Sequence, residues 1–155
     1  MWAWVWACLW ESESTRREGA AARVRAGAPH EQMRAYGKLA IRGGQNEPRD
    51  AIAGASWALL SHPDQLAMVL DGVAGWDRVF EEYVRWMSPI GMSPRRIATD
   101  ALVGGVDIKA GGRAFFMFSA ANRDPAHFDN PDRFDVQRDT RKHIAFGAGP
   151  HFCAG

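Results

Sequence analysis

Phe146-Gly-Ala-Gly-Pro-His-Phe-Cys153-Ala-Gly155 occupies the last ten positions of a 155-residue sequence. Its glycines free the backbone to turn tightly and to approach a ligand closely. Cys153 supplies a thiol that, as thiolate, is a strong metal ligand. Two other readings of the stretch stay open from these residues alone. One is a cysteine buried in a glycine-rich turn. The other is a zinc site from His143, His151 and Cys153, which lacks the fourth close ligand that a structural zinc requires.

Upstream, Ala120 to Lys142 is dominated by Asn, Asp, Pro and Arg and reads as loop. Before it, Ile97–Leu102, Val106–Ile108 and Arg113–Phe118 read as short strands, separated by turns at Gly104-Gly105 and Gly111-Gly112. Helical spacing covers Trp76–Trp86, ending before Ser88-Pro89, and a short helix is predicted from Pro63 to about Leu70. From Glu31 to Leu60 the pattern is again helical, with a break around Gly43-Gly44. Pro48 must then lie at a kink or in the first turn of a restarted helix.

The composition is that of an ordinary globular chain: 46% hydrophobic, 24% charged, with a formal net charge of +1. Such a balance points to neither a nucleic-acid partner nor an anionic membrane surface. Two cysteines, Cys8 and Cys153, make no disulfide framework, so a cytoplasmic setting is expected. The apolar opening Met1–Trp10 is too short to span a bilayer, which takes about 20 residues. Residues 1–30 read as an unassigned, disordered or unrelated lead-in, and 31–155 as the folded domain.

A second motif supports the first. Glu82 and Arg85 form E-x-x-R on the Trp76–Trp86 helix, one above the other on a face where they can pair. Asn122-Arg123-Asp124-Pro125 and Asn130-Pro131-Asp132-Arg133-Phe134 follow in order before the cysteine stretch, which itself fits F-x-x-G-x-x-x-C-x-G. In that order these motifs resemble the cytochrome P-450 family, over about Ala40 to Gly155. The resemblance implies a mainly α fold with a small β-sheet, here a partial cytochrome P-450 fold truncated at both ends. It implies haem b as cofactor, with Cys153 as axial thiolate ligand, and Phe146 and Gly147 in the loop beneath the ring. The P-E-R-F-like element implies that Arg133 completes a Glu-Arg-Arg triad with Glu82 and Arg85, locking the loop segment under the helix. Arg96 and His151 match positions that contact haem propionates.

The likeness weakens at the oxygen-activating segment. Laid back from His62-Pro63, Gly43 and Gly44 match the glycines that leave room for dioxygen, while Asn46 and Glu47 stand where the family carries an acid and an alcohol. Glu47 is expected to supply the proton, directly or through a water. The competing reading has Asn46 capping the restarted helix and Glu47 as a first-turn acid favoured by the helix dipole. The implied activity is monooxygenation of a small organic substrate. Ferredoxin and ferredoxin reductase are the implied electron donors, and no stable membrane insertion is expected. The rival readings are a non-catalytic fragment of such an enzyme, and a haem enzyme that uses peroxide or catalyses a dehydration.

Overall fold

The computed structural model describes residues 27–149 and 152–153. The expected lead-in therefore falls almost wholly outside the described residues, and His151 does too. Helix α1 spans His30–Gly43 and α2 spans Asn46–Ser61, with the expected break at Gly44-Gln45. Pro48 sits in the first turn of α2, where a missing N–H leaves no intrahelical bond unmade. His62 separates α2 from α3, Pro63–Leu70, which has proline at its first position. Helix α4, Trp76–Met87, stops at Ser88, whose left-handed φ of 46° turns the chain ahead of Pro89.

The β structure consists of two antiparallel ribbons. Strand β1 (Ser93–Arg96) pairs with β4 (Arg113–Phe116), and β2 (Ala101–Val103) pairs with β3 (Val106–Ile108) across the Gly104-Gly105 turn. The strand expected at Ile97–Leu102 is thus not continuous. The ladder starts earlier, at Ser93, and tolerates Pro94 because each strand of a two-stranded ribbon has an edge that needs no donor. Ile97 prolongs the ladder by exchanging backbone bonds with Gly111 and Gly112. Asp100 then bends the chain, accepting from the Ala110 N–H at 2.8 Å and pairing with Lys109 at 2.8 Å. Those two bonds, the backbone one foremost, hold its carboxyl below the usual carboxylate range. The last expected strand ends two residues early, because Phe118 opens a short helix α5, Phe118–Ala121.

Buried positions on α4 recur at helical spacing, with Val79, Glu82 and Tyr83 facing inward. Val79, Tyr83 and Val84 meet Ala51, Ala58 and Leu59 of α2, together with Phe134 and Val136 from the loop segment. The helices approach closely at Gly54, where a Cβ would overlap the ring and hydroxyl of Tyr83. Trp57 and Trp86 stack with centroids 6.2 Å apart, and His62 and Phe134 close the same cluster. Helix α1 buries none of its residues. Among the described residues, no helix is long and apolar enough to cross a membrane.

Candidate functional site

The site is built on the polar members of the α4 stripe. Glu82 and Arg85 have side chains 1% and 0% exposed, so neither charge is solvated by bulk water. Two charges can be held so only if nearly every polar atom has a partner. They are. Arg85 Nε donates to Glu82 Oε2 at 2.7 Å and Nη2 to Oε1 at 2.8 Å, a bidentate fork. Arg85 Nη1 reaches forward to the carbonyls of Asn122 at 2.8 Å and Pro131 at 2.9 Å, and Nη2 to that of Arg133 at 3.3 Å. Glu82 Oε1 also accepts from the Asp135 N–H at 2.9 Å and from Arg138 Nε at 3.2 Å. One helix face thus grips the irregular segment 122–138 at several points.

The triad is therefore Glu82, Arg85 and Arg138, not Arg133. The Arg133 side chain is exposed, and only its main-chain carbonyl enters the network. Asn130 adopts a left-handed φ of 46°, and successive turns bond Arg133 N to Asn130 O and Arg138 N to Asp135 O. This path turns the Arg133 backbone towards α4 and brings the Arg138 side chain back onto Glu82. Arg138 also donates to the carbonyls of Asp129, Asn130 and Arg133. A polar cavity of about 400 Å³, lined by residues that include Arg133, Asp135, Arg138 and Asp139, lies along this segment and not at the cysteine loop.

Asn122, which sequence reasoning passed over as part of a loop motif, is fully buried and joins three pieces of chain. Its Nδ2 donates to Ser88 Oγ at 2.9 Å, its Oδ1 accepts from the Ile144 N–H at 2.8 Å, and its carbonyl is the Arg85 acceptor already named. The approach to the cysteine loop is thereby tied to the end of α4. The only signal in the sequence was an amide side chain between apolar Ala120-Ala121 and a run of charge.

Beyond Ile144 the chain enters the loop itself. Phe146 is half-buried, stacked on Phe80 of α4 with centroids 6.2 Å apart and touched edge-on by Phe152 at 6.3 Å. Gly147 and Gly149 have φ of 76° and 71°, a left-handed backbone that side chains rarely adopt. That reversal brings Cys153 N–H to the Phe146 carbonyl at 2.9 Å, with Cys153 itself exposed.

The other expected site residues lie apart from the loop in sequence. Arg96 is exposed on β1 directly opposite Arg113, and has no side-chain partner among the described residues. Two like charges in register are unfavourable until an anion joins them. Gly43 ends α1 and Gly44 follows it; a Cβ on Gly43 would meet nothing within 4 Å. Asn46 does not cap α2. It is the first helical residue, Gln45 holds the cap position, and no side chain caps the end. Glu47 lies in the first turn, and its Oε2 is buried without a hydrogen-bond partner among the described residues.

A thiol stands exposed on a loop turned by two left-handed glycines, Arg96 offers a cation to an anionic group, and a buried Glu47 oxygen lacks a partner among the described residues. A thiolate and a cation are donors of the kind a haem takes. Comparison with known proteins agrees: the Cytochrome P450 family profile matches residues 76–155. The chain is 43% identical over 100 residues to the 6-deoxyerythronolide B hydroxylase of Saccharopolyspora erythraea, covering 64% of this chain and 25% of that protein. It is 35% identical over 117 residues to a steroid C26-monooxygenase of Mycolicibacterium smegmatis, covering 76% and 29%. Among solved structures, CYP154A1 of Streptomyces coelicolor superimposes with a TM-score of 0.78 at 33% identity, over 88% of this chain and 35% of that one. The chain belongs to the cytochrome P450 family. It spans 24% to 33% of the length of the curated relatives it matches.

Proposed function

We propose that this chain carries the proximal half of a haem-thiolate monooxygenase site, with Cys153 as the axial ligand of haem b. The observation that carries this reading is the loop geometry: Cys153 N–H bonded to the Phe146 carbonyl, on a loop whose approach is tied through Asn122 to the end of α4. Bound haem supplies the iron at which dioxygen is activated, so that one oxygen atom enters an organic substrate and the other leaves as water. Cys153 would supply the sulfur ligand that holds the iron. Phe146 covers the sulfur side and excludes water. The backbone from Phe146 through Gly147 fixes where the sulfur stands. Arg96 pairs with one carboxylate of the cofactor, a charge-assisted bond that also relieves its repulsion with Arg113. His151 is the proposed donor to a second carboxylate.

Gly43 and Gly44 leave the space beside α2 open, and Glu47, next to Asn46, holds the proton delivered there. Its orphaned Oε2 supports that role, because a buried carboxylate oxygen without a protein partner is placed to bond a water or a ligand. Electrons come from a ferredoxin and its reductase, and the substrate is a small organic molecule. Related proteins carry names of hydroxylases and monooxygenases, which supports oxygen insertion over peroxide use or dehydration.

The test is reconstitution of the chain with haem, reduction, and addition of carbon monoxide. The reading expects the red-shifted Soret band of a thiolate-ligated iron, lost in Cys153→Ser. A band at the free-haem position in both proteins overturns it. Glu47→Gln is expected to lower the share of electrons recovered in product at unchanged haem content; unchanged coupling removes Glu47 from the proton path.

A further inference from the structure

We propose that His143, tethered by Glu81, is a positioning residue that sets the Phe146–Cys153 geometry. This inference rests on the reading of Cys153 as the haem ligand. His143 enters none of the family motifs above; as a zinc ligand it had only His151 and Cys153 for company. The structure gives it other partners. Its side chain is 9% exposed, and Nε2 lies 2.8 Å from Oε2 of Glu81, which is itself 44% exposed. Nδ1 accepts the Ala145 N–H at 3.2 Å. A nitrogen that accepts a backbone N–H carries no proton, so Nε2 holds the ring proton and donates it to Glu81. The two bonds fix both the tautomer and the plane of the ring.

Held in this way, the ring meets Phe146 edge-on with centroids 5.5 Å apart, while Phe80 stacks on Phe146. Phe80 and Glu81 are adjacent on α4, so one turn of that helix holds the loop twice: through the Phe146 ring, and through the His143 ring that abuts it. Beyond the ring, the Phe146 carbonyl takes the Cys153 N–H. Asn122 fixes the neighbouring Ile144 N–H separately. An exposed carboxylate in a pair contributes little stability alone. What the Glu81–His143 pair supplies is orientation: the Ala145 N–H is satisfied, and the Phe146 carbonyl is aimed at the sulfur residue.

The test has two arms. Without haem, site-resolved amide exchange is followed at Cys153 and Ala145, with Val84 in the core of α4 as the control for global opening. His143→Ala is expected to speed exchange at both loop amides by roughly tenfold and to leave Val84 protected, because a loop opens locally with a free energy separate from global unfolding. Glu81→Ala, which opens no core cavity, is expected to act in the same direction; Glu81→Gln, which keeps an acceptor, is expected to restore wild-type exchange. With haem, both alanine variants are expected to bind it about tenfold more weakly and to move part of the carbon-monoxide band away from the thiolate position. Wild-type exchange at Cys153 in Glu81→Ala overturns the proposal, as does equal loss of protection in Glu81→Ala and Glu81→Gln. If wild-type protein shows no thiolate band while the exchange arm behaves as expected, the haem-ligand reading fails and the loop-positioning role of His143 stands.

Discussion

Replacing Arg138 with alanine tests the network under the cysteine loop, and replacing Arg133 is its control. In the folded protein Arg138 is 9% exposed and bonds one buried carboxylate oxygen and three main-chain carbonyls. Alanine removes a cation from a Glu82 carboxylate that keeps Arg85 and the Asp135 N–H as partners. The freed carbonyls lie near the surface and can turn to water. A hydrogen bond to a charged group contributes about 1.5–3 kcal/mol net, and the bonds of one guanidinium do not add independently. The expected loss is therefore about 2–4 kcal/mol. Arg133→Ala keeps the carbonyl that Arg85 uses and deletes only an exposed side chain, so it is expected to change stability by at most about 0.5 kcal/mol. Urea unfolding followed by circular dichroism, with slopes compared to exclude a change in the unfolded state, reads both values. Equal losses, or a larger loss in Arg133→Ala, refute the assignment of Arg138 to the triad.

Three further outcomes follow from the same geometry. Asn122→Ala leaves the Ile144 N–H without its side-chain acceptor and Ser88 Oγ without its donor, and should cost about 1–3 kcal/mol in the same unfolding assay. Gly54→Ala forces α2 away from the Tyr83 ring and should cost about 1–3 kcal/mol, seen as a lower denaturation midpoint. Burial raises the Tyr83 phenol above its ordinary value of 10.0, so the folded state holds that proton more tightly than the unfolded chain. The resulting stability is complete below the unfolded value and lost as pH climbs from there through the folded value. Melting temperatures should therefore fall at alkaline pH in the wild type and fall less steeply in Tyr83→Phe; parallel profiles would remove the phenol from the account.

Much of this was legible in the sequence, and the misses have physical causes. Helix limits followed from Pro48, Pro63, Gly43-Gly44 and Ser88-Pro89, because proline and glycine act locally. Glu82 and Arg85 could be placed together because a spacing of three on a helix fixes their geometry. Arg133 and Arg138 could not be told apart in that way. They lie in a segment with no period, where the turn at Asn130 decides which side chain comes back to Glu82. The partners of Asn122 and His143 were missed for the same reason: each acts across a long separation in sequence, on Ser88 and Ile144 in one case and on Glu81 in the other. The strand at Ser93–Arg96 was missed because Pro94 weighs against strand in any local reading, and only the pairing with Arg113–Phe116 shows that no ladder donor is lost. Glu47 stood out as a departure from a family pattern; its orphaned oxygen became visible only in the folded chain.

The proposed role of Cys153, as ligand of a haem iron above the Glu82–Arg85–Arg138 network, is open to X-ray absorption at the iron edge of the haem-reconstituted chain, where the scattering distinguishes sulfur from nitrogen or oxygen in the first coordination shell. One sulfur scatterer is expected on the iron at a thiolate bond length in the wild type, replaced by a lighter atom in Cys153→Ser. A first shell of nitrogen and oxygen alone in the wild-type protein, with haem bound, would contradict it.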